Sequence, residues 1–296
     1  MVTGVTGFLG YHLVKELVAN EVEVYALCRK DTANLNRIKD LKGVSIIEGS
    51  LEDVEKLPDL CKERDFDVLY HLAWRGASGE ERANSVIQAD NISWSLKLTQ
   101  VAKTMGVKKI VVSGTVCENQ CEAMIKNQYT GKSAYYLMAK RSTYEMLSVL
   151  CRQLELPLVW CTFYHPIGKY NKPEQLIMNT ILKLKKGETP QFGPADKWFD
   201  VIAAEDLCHG FYLAGLVNLK KDRYFIGSGQ PRILKDYLCE VQEIVNPELP
   251  LEFGIFKDDG LPMERSWLDA TAFEVETGFQ NRVEFGEAVG KVISEC

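Results

Sequence analysis

Apolar residues recur along this chain in two alternating rhythms, short runs of strand length and longer stretches with helical spacing. Tyr11 to Ala19 places Leu13, Val14, Leu17 and Val18 on one helical face. Glu21 to Leu27 then alternates as a strand, residues 33 to 41 read as a helix, and Val44 to Glu48 reads as the next strand. A helix over 53 to 64 leads to the apolar strand Val68 to Ala73, and a helix over about Ala89 to Met105 leads to the buried strand Lys109 to Ser113. After a further helix opening at Ser133, Leu158 to Phe163 closes the series. Strands that alternate with helices and carry nearly continuous apolar runs predict an α/β fold with a doubly wound parallel sheet.

The rhythm changes after Gly168. Residues 169 to 195 leave the sheet with a helix at about Gln175 to Lys186, and residues 198 to 216 are expected to return to it. From 229 onward a helix at Leu234 to Val245, turns at Pro247 and Pro250 and a last helix at Phe285 to Ile293 make a smaller lobe.

Composition narrows the class. At 296 residues, 46% hydrophobic and 26% charged, the chain can fill a core and form two lobes. No apolar run approaches the roughly 18 residues that span a bilayer. Gly4, Gly7 and Gly10 stand where a signal peptide would carry a basic region and a continuous apolar stretch, so a cytoplasmic protein without a membrane partner is expected. A net charge of -6 argues against a nucleic-acid partner. The nine cysteines, at 28, 61, 117, 121, 151, 161, 208, 239 and 296, are odd in number and scattered, as in a reduced chain. Cys117 and Cys121 lack the further Cys or His of a zinc site, so no metal is expected. The first strand has only Met1, Val2 and Thr3 before its glycine, whereas a central parallel strand runs to about five residues. A native chain that begins further upstream is therefore expected.

Two stretches carry candidate chemistry. Met1 to Gly10 is a glycine-rich turn between a strand and a helix. Glycines at 4, 7 and 10 permit a tight turn and close approach to a pyrophosphate, with the helix N-terminus facing the anion. Such a loop also occurs as a plain turn. In Ser133 to Lys140, a phenol and an ammonium stand four residues apart, one helical turn from each other, and form a candidate acid/base pair of Tyr136 and Lys140. Tyr11 and Lys15 share that spacing, but they lie in the helix of the glycine loop and read as structural.

In order, the pieces are Thr3-Gly-Val-Thr-Gly-Phe-Leu-Gly10, Asp67-Val-Leu-Tyr-His-Leu-Ala73, Asn91, Val111-Val-Ser-Gly-Thr-Val116, Tyr136 with Lys140, Phe163-Tyr-His-Pro-Ile-Gly168, Asp206 and Glu276-Thr-Gly-Phe279. This series resembles the extended short-chain dehydrogenase/reductase superfamily, in particular its NAD-dependent epimerase/dehydratase branch acting on nucleotide sugars. The resemblance runs from end to end. It implies a Rossmann-type dinucleotide-binding domain over 1–168, with a return segment over 197–226, and a smaller C-terminal α/β substrate lobe over 169–196 and 227–296. The cleft between the two lobes is then the default ligand site.

The resemblance also implies roles. Tyr136 would be the general acid/base, Lys140 would lower its pKa and hold the nicotinamide ribose, and Ser113 would hydrogen-bond the reacting oxygen, with Thr115 as runner-up. Cofactor contacts would fall on Gly4, Thr6, Gly7, Phe8, Leu9, Ser50, Leu51, Leu72, Ala73, Trp74 and Asn91. Ser50 stands where the family commonly has an aspartate beside the adenine. Trp74 would wall the nicotinamide side, or serve only as packing. At the end of the second strand Tyr25 to Lys30 has no acid, and Arg29 suits a 2′-phosphate, so NADP(H) is favoured with NAD(H) as the alternative.

Family members that remove water carry an Asp-Glu pair just after the Ser/Thr position, where this chain has Gly114 and Thr115. Dehydration is disfavoured. A 4-keto-sugar reductase is favoured, with a 4-epimerase that retains NAD as the alternative and a non-catalytic NADP-binding regulator as the rival of another class. His165 replaces the family asparagine that meets cofactor and substrate diphosphate, either as a hydrogen-bond donor or as a buried structural histidine. Phe199 falls where a diphosphate-gripping arginine is usual. Lys197, Arg232 and Arg265 are the substitute cations, Arg75 after the fourth strand is a further substrate-binding residue, and a smaller carbonyl substrate stays open. A homodimer would be ordinary for the family.

Overall fold

The computed structural model describes residues 1–30, 32 and 34–295; Ala33 of the helix expected over 33–41, and the ninth cysteine, Cys296, lie outside the described residues. The backbone divides into two compact units, residues 1–162 with 208–224, and residues 163–207 with 225 onward.

The first unit is built on β1 (Val2–Thr3), α1 (Phe8–Ala19), β2 (Val24–Cys28), β3 (Val44–Glu48), α2 (Leu57–Leu60), β4 (Leu69–His71), α3 (Ser85–Thr104), β5 (Ile110–Ser113), α4 (Cys121–Lys126), α5 (Ala134–Gln153) and β6 (Leu158–Thr162). Every residue of β5 and β6 is buried, which explains their unbroken apolar runs. The seven-stranded sheet has the order β3-β2-β1-β4-β5-β6, followed by a strand at Arg223–Phe225, and the ladders from β3 through β6 are parallel. The order reverses between β1 and β4. Ligands of such sheets bind beyond the carboxyl ends of the strands at that point.

Two expected helices are shorter than the apolar spacing suggests. Over 33–41 the described residues form a short 3-10 helix at Leu35–Arg37 followed by turns, in place of a longer α-helix. Over 53–64 the chain makes a turn at Val54–Lys56 and then α2, and leaves the helix at Cys61 in extended conformation. Arg64 folds back there and donates to the carbonyls of Pro58 at 3.1 Å and Cys61 at 2.7 Å, so carbonyls left open at the helix end gain a donor.

A buried polar chain locks the sheet to α3. Thr3 Oγ1 lies 2.8 Å from His71 Nδ1, and His71 Nε2 lies 3.0 Å from Ser95 Oγ. Ser95 gives its hydroxyl proton to Asn91 O at 2.7 Å, so His71 Nε2 donates to Ser95, and Thr3 donates to Nδ1. Burial holds His71 at about pKa 3, a neutral ring.

The second unit holds β7 (His165–Ile167), α6 (Leu176–Lys185), β8 (Trp198–Phe199) and β9 (Val201–Ala203). The chain passes between units within α7 (Ala204–Leu216) and β10 (Arg223–Phe225), then adds β11 (Arg232–Ile233), α8 (Leu234–Val245), α9 (Thr271–Thr277) and α10 (Phe285–Glu295). Residues 198 to 203 do not enter the large sheet: β9 pairs with β7 and β8 with β11. The strand that joins the sheet beside β6 is β10. Ile177, Ile181, Tyr237, Leu238, Val241 and Val289 fill the core of this unit. Among the described residues no helix is long and apolar enough to cross a membrane.

Candidate active site

The glycine loop has the stereochemistry of a phosphate cradle. Gly4 has φ +75°, and a Cβ there would come within 2.7 Å of Ala73 N; one at Gly10 would come within 2.0 Å of Gly4 O. Gly7 N–H donates to Gly4 O at 3.0 Å, and α1 starts with no side-chain cap, so its first amides are available to an anion. The loop is braced from the segment after β2, where Arg37 Nη1 donates to Thr6 O at 2.9 Å and Thr32 Oγ1 lies 3.2 Å from Thr6 Oγ1. These residues fit a dinucleotide pyrophosphate. Leu72 and Ala73 flank the loop, Ala73 N–H donating to Thr3 Oγ1 at 3.2 Å.

At the carboxyl end of β5, Ser113, Tyr136 and Lys140 are brought together in the buried interior of the first unit. Lys140 Nζ donates to Ser113 O at 2.7 Å. Its ammonium sits 3.9 Å from the centre of the Trp74 ring and 5.8 Å from that of Trp160. With no carboxylate in ion-pair contact among the described residues, burial draws Lys140 down to about 7, against which the nearby Glu118 charge works. Trp74 also meets Tyr136 edge to face at 6.1 Å, and its indole N–H is fixed by Gln88 Oε1 at 2.8 Å. Ser113 Oγ rests 3.4 Å from His71 O, and Thr115 Oγ1 is used in part as the cap of the turn that follows, accepting from Cys117 N–H at 3.3 Å.

Three residues complete this site that apolar spacing and motif order left out: Glu118, Arg223 and Arg82. Glu118 is fully buried, accepts from Trp160 Nε1 at 3.0 Å and pairs with Arg223 at 2.8 Å. Burial pushes its carboxyl up to about 7 although Arg223, Trp160 and Lys140 act to lower it. The sequence signal for Glu118 was a charge directly after a run of apolar or small residues, Val111 to Cys117. Trp160 also explains Gly114, since a Cβ there would lie 2.2 Å from the indole nitrogen. Arg82, on the turn Glu80–Ala83, lies with its guanidinium carbon 3.7 Å from the centre of the Tyr136 ring.

A model of the NAD dependent epimerase/dehydratase family matches residues 1–227. The chain belongs to this family. It is an NAD-dependent enzyme of the extended short-chain dehydrogenase/reductase type. UDP-glucose 4-epimerase of Neisseria meningitidis serogroup C is 35% identical over 121 residues, an alignment that spans 39% of this chain and 36% of that protein. Among solved structures, the Bordetella bronchiseptica enzyme WbmF in complex with NADH superposes with a TM-score of 0.81 at 22% identity, covering 100% of this chain and 90% of that one. UDP-glucose 4-epimerase of Thermotoga maritima with UDP-glucose gives 0.76 at 20% identity, covering 99% and 97%. At these identities the two structures speak for the shared fold.

Within the family frame the remaining residues fall as follows. Arg29 is exposed at the end of β2, Ser50 and Leu51 are half-buried beyond β3, and Asn91 ties down the loop after β4, accepting from Arg75 N–H at 2.9 Å and donating to Arg75 O at 2.8 Å. Arg75 points its guanidinium to Glu81 and Glu52 at 3.2 and 3.3 Å. In the second unit His165 is buried, drawn down to about 4 by burial, and its Nε2 has no hydrogen-bond partner among the described residues. Lys197 pairs with Asp258 and Asp259, Arg232 with Glu240, and Arg265 stands 5.1 Å over the Trp198 ring.

Proposed function

We propose that this enzyme acts on a nucleotide-activated sugar by redox chemistry at one sugar carbon, with 4-epimerisation as the outcome. The observation that carries this is the buried set of Ser113, Tyr136 and Lys140 with no carboxylate at the two positions after Ser113. Removing water would require a second acid and base there. Position 114 has no room for either, because Trp160 fills the space a side chain would need.

When bound at the Gly4 to Leu9 loop, a nicotinamide dinucleotide supplies the hydride acceptor and donor. Tyr136 exchanges a proton with the oxygen on the reacting carbon. Ser113 hydrogen-bonds the same oxygen, and Lys140 contributes positive charge and a donor for the ribose. Thr6, Phe8, Leu72, Ala73 and Trp74 line the cofactor's path, and the second unit acts as the substrate lobe. There the buried, unpartnered His165 Nε2 is a polar atom left for a ligand. Lys197, Arg232 and Arg265 of this unit are the cations for a diphosphate. UDP-sugar epimerases among the relatives support this reading over reduction.

A second reading, reduction of a 4-keto sugar with exchangeable NADPH in a cytoplasmic enzyme, is favoured by the adenosine end. Arg29 stands at the end of β2 without an acid beside it, and Arg37 reaches the phosphate loop. One experiment separates the two. The purified protein is denatured to identify any released nucleotide, and UDP-glucose is followed for conversion to UDP-galactose without added cofactor. Retained NAD with conversion is the expected result. NADPH oxidation by a 4-keto nucleotide sugar, with no retained nucleotide, would shift the assignment to a reductase. Turnover of neither would defeat both readings and leave a dinucleotide-binding regulator.

A further inference from the structure

The tyrosine of this site faces a second cation. Arg82 comes from the turn after β4, and its guanidinium carbon is 3.7 Å from the centre of the Tyr136 ring. Its planar fork is held on two sides: Nε donates to Ser133 Oγ at 3.0 Å and Nη1 to Ala77 O at 2.5 Å. Ser133 directly precedes α5, so the same arginine grips the start of the helix that carries the phenol. The neighbouring Glu81 is engaged by Arg75, which leaves the guanidinium to the aromatic face.

We propose that Arg82 is the positioning residue that sets the ionisation of Tyr136, a task that the motif alone would give to Lys140. The inference rests on Tyr136 as the acid/base of the proposed reaction.

The charged and titratable groups that act on the phenol are Arg82 from the turn and Cys117 and Glu118 from the segment after β5, while Lys140 lies one helical turn along α5. Burial raises the phenol above its ordinary value; Arg82 opposes this by charge and hydrogen bonding, while Cys117 and Glu118 act with the burial. Lys140 is occupied differently, with its ammonium on Ser113 O and against the Trp74 face. Burial also draws it toward neutrality near pH 7. A lysine that loses its proton in the working range is a variable charge. A guanidinium keeps its charge throughout. Stacking on a ring face further suits the planar guanidinium, which is weakly hydrated. Arg82 is thus the constant cation beside Tyr136, and Lys140 the adjustable one.

The test reads one tyrosine among twelve. Ultraviolet tyrosinate absorbance is titrated with pH in the full-length protein and in its Tyr136→Phe variant, and the difference isolates position 136. The same pair is then made in an Arg82→Gln background. The expected result is an ionisation moved upward by about one pH unit, roughly a tenfold loss of phenolate at fixed pH. Arg82→Lys, which keeps the charge without the fork, should recover part of that shift. Identical titrations in the parent and Arg82→Gln backgrounds would overturn the proposal, as would an Arg82→Lys variant that shifts as far as Arg82→Gln. The titration uses no sugar, so failure to turn over UDP-glucose would defeat the proposed reaction and leave this result standing.

Discussion

Each unit of this protein holds one lysine whose surroundings treat its charge in opposite ways. In the first, Lys140 is 3% exposed and is solvated by one carbonyl and two indole faces, with no carboxylate in ion-pair contact among the described residues. Burial then wins and its pKa falls to about 7. In the second, Lys197 sits between Asp258 at 2.7 Å and Asp259 at 2.5 Å. Burial works against its charge as well, but the two carboxylates outweigh it and hold the pKa above the ordinary lysine value. Arg232 is pinned by Glu240 at 2.7 Å in the same manner. A cation surrounded by π-faces and a carbonyl is poised to exchange a proton near neutral pH. A cation neutralised by acids is fixed in charge, and an anionic ligand must compete with those acids for it.

The sharpest break in this contrast is Tyr136→Phe, which removes the group that the poised cations serve. Turnover should fall by roughly 10²- to 10⁴-fold, while the thermal shift produced by NAD stays that of the parent. A normal rate would remove the mechanism proposed here.

Next in size is Glu118, the buried acid of the poised side. Glu118→Ala strands Arg223 and the Trp160 N–H, and should cost about 3 kcal/mol in urea unfolding. Glu118→Gln tests the charge alone. The folded carboxyl has a pKa near 7 against 4.5 for the ordinary group, so its contribution to stability is fully present below 4.5 and is lost as pH rises through 7. The difference in Tm between Glu118→Gln and parent should therefore move in favour of the variant from pH 4.5 to 7. Lys140 has the opposite sense: its folded pKa is below the ordinary 10.5, so its penalty is fully present below about 7 and is relieved as pH rises toward 10.5. A Tm difference that stays flat across the acid window would show that Glu118 is not the titrating group.

The smallest effect belongs to the fixed side. Lys197→Ala removes a surface pair and should change stability by less than about 1 kcal/mol. If Lys197 reads the substrate diphosphate, the variant raises KM for UDP-glucose and leaves kcat near that of the parent. An unchanged KM would return Lys197 to a purely structural pairing with Asp258 and Asp259.

Sequence by itself determined the frame. Period-two and period-3.6 patterns placed β1 to β6 and the helices α1, α3 and α5, because burial of one or both faces writes itself directly into neighbouring residues. The glycine loop was legible for the same local reason: a backbone at φ +75° with Ala73 close behind it admits no side chain at position 4. The helical spacing of Tyr136 and Lys140 was legible too, and the family resemblance named them together with Ser113.

Tertiary structure alone decided what surrounds them. The helices over 33–41 and 53–64 shrank to short turns because apolar residues there feed the core without requiring a long helix. Arg82, Glu118, Trp160 and Arg223 come from four separate segments, and no period along the chain links them. Gly114 reads as a missing acid in sequence; in space it is the room that Trp160 takes. Local patterns encode which residues are buried, whereas the charges that meet in a buried site are set by contacts between residues far apart in the chain. For that reason the spacing of Lys140 from Tyr136 was legible, and the indole faces and carbonyl that surround its ammonium were not.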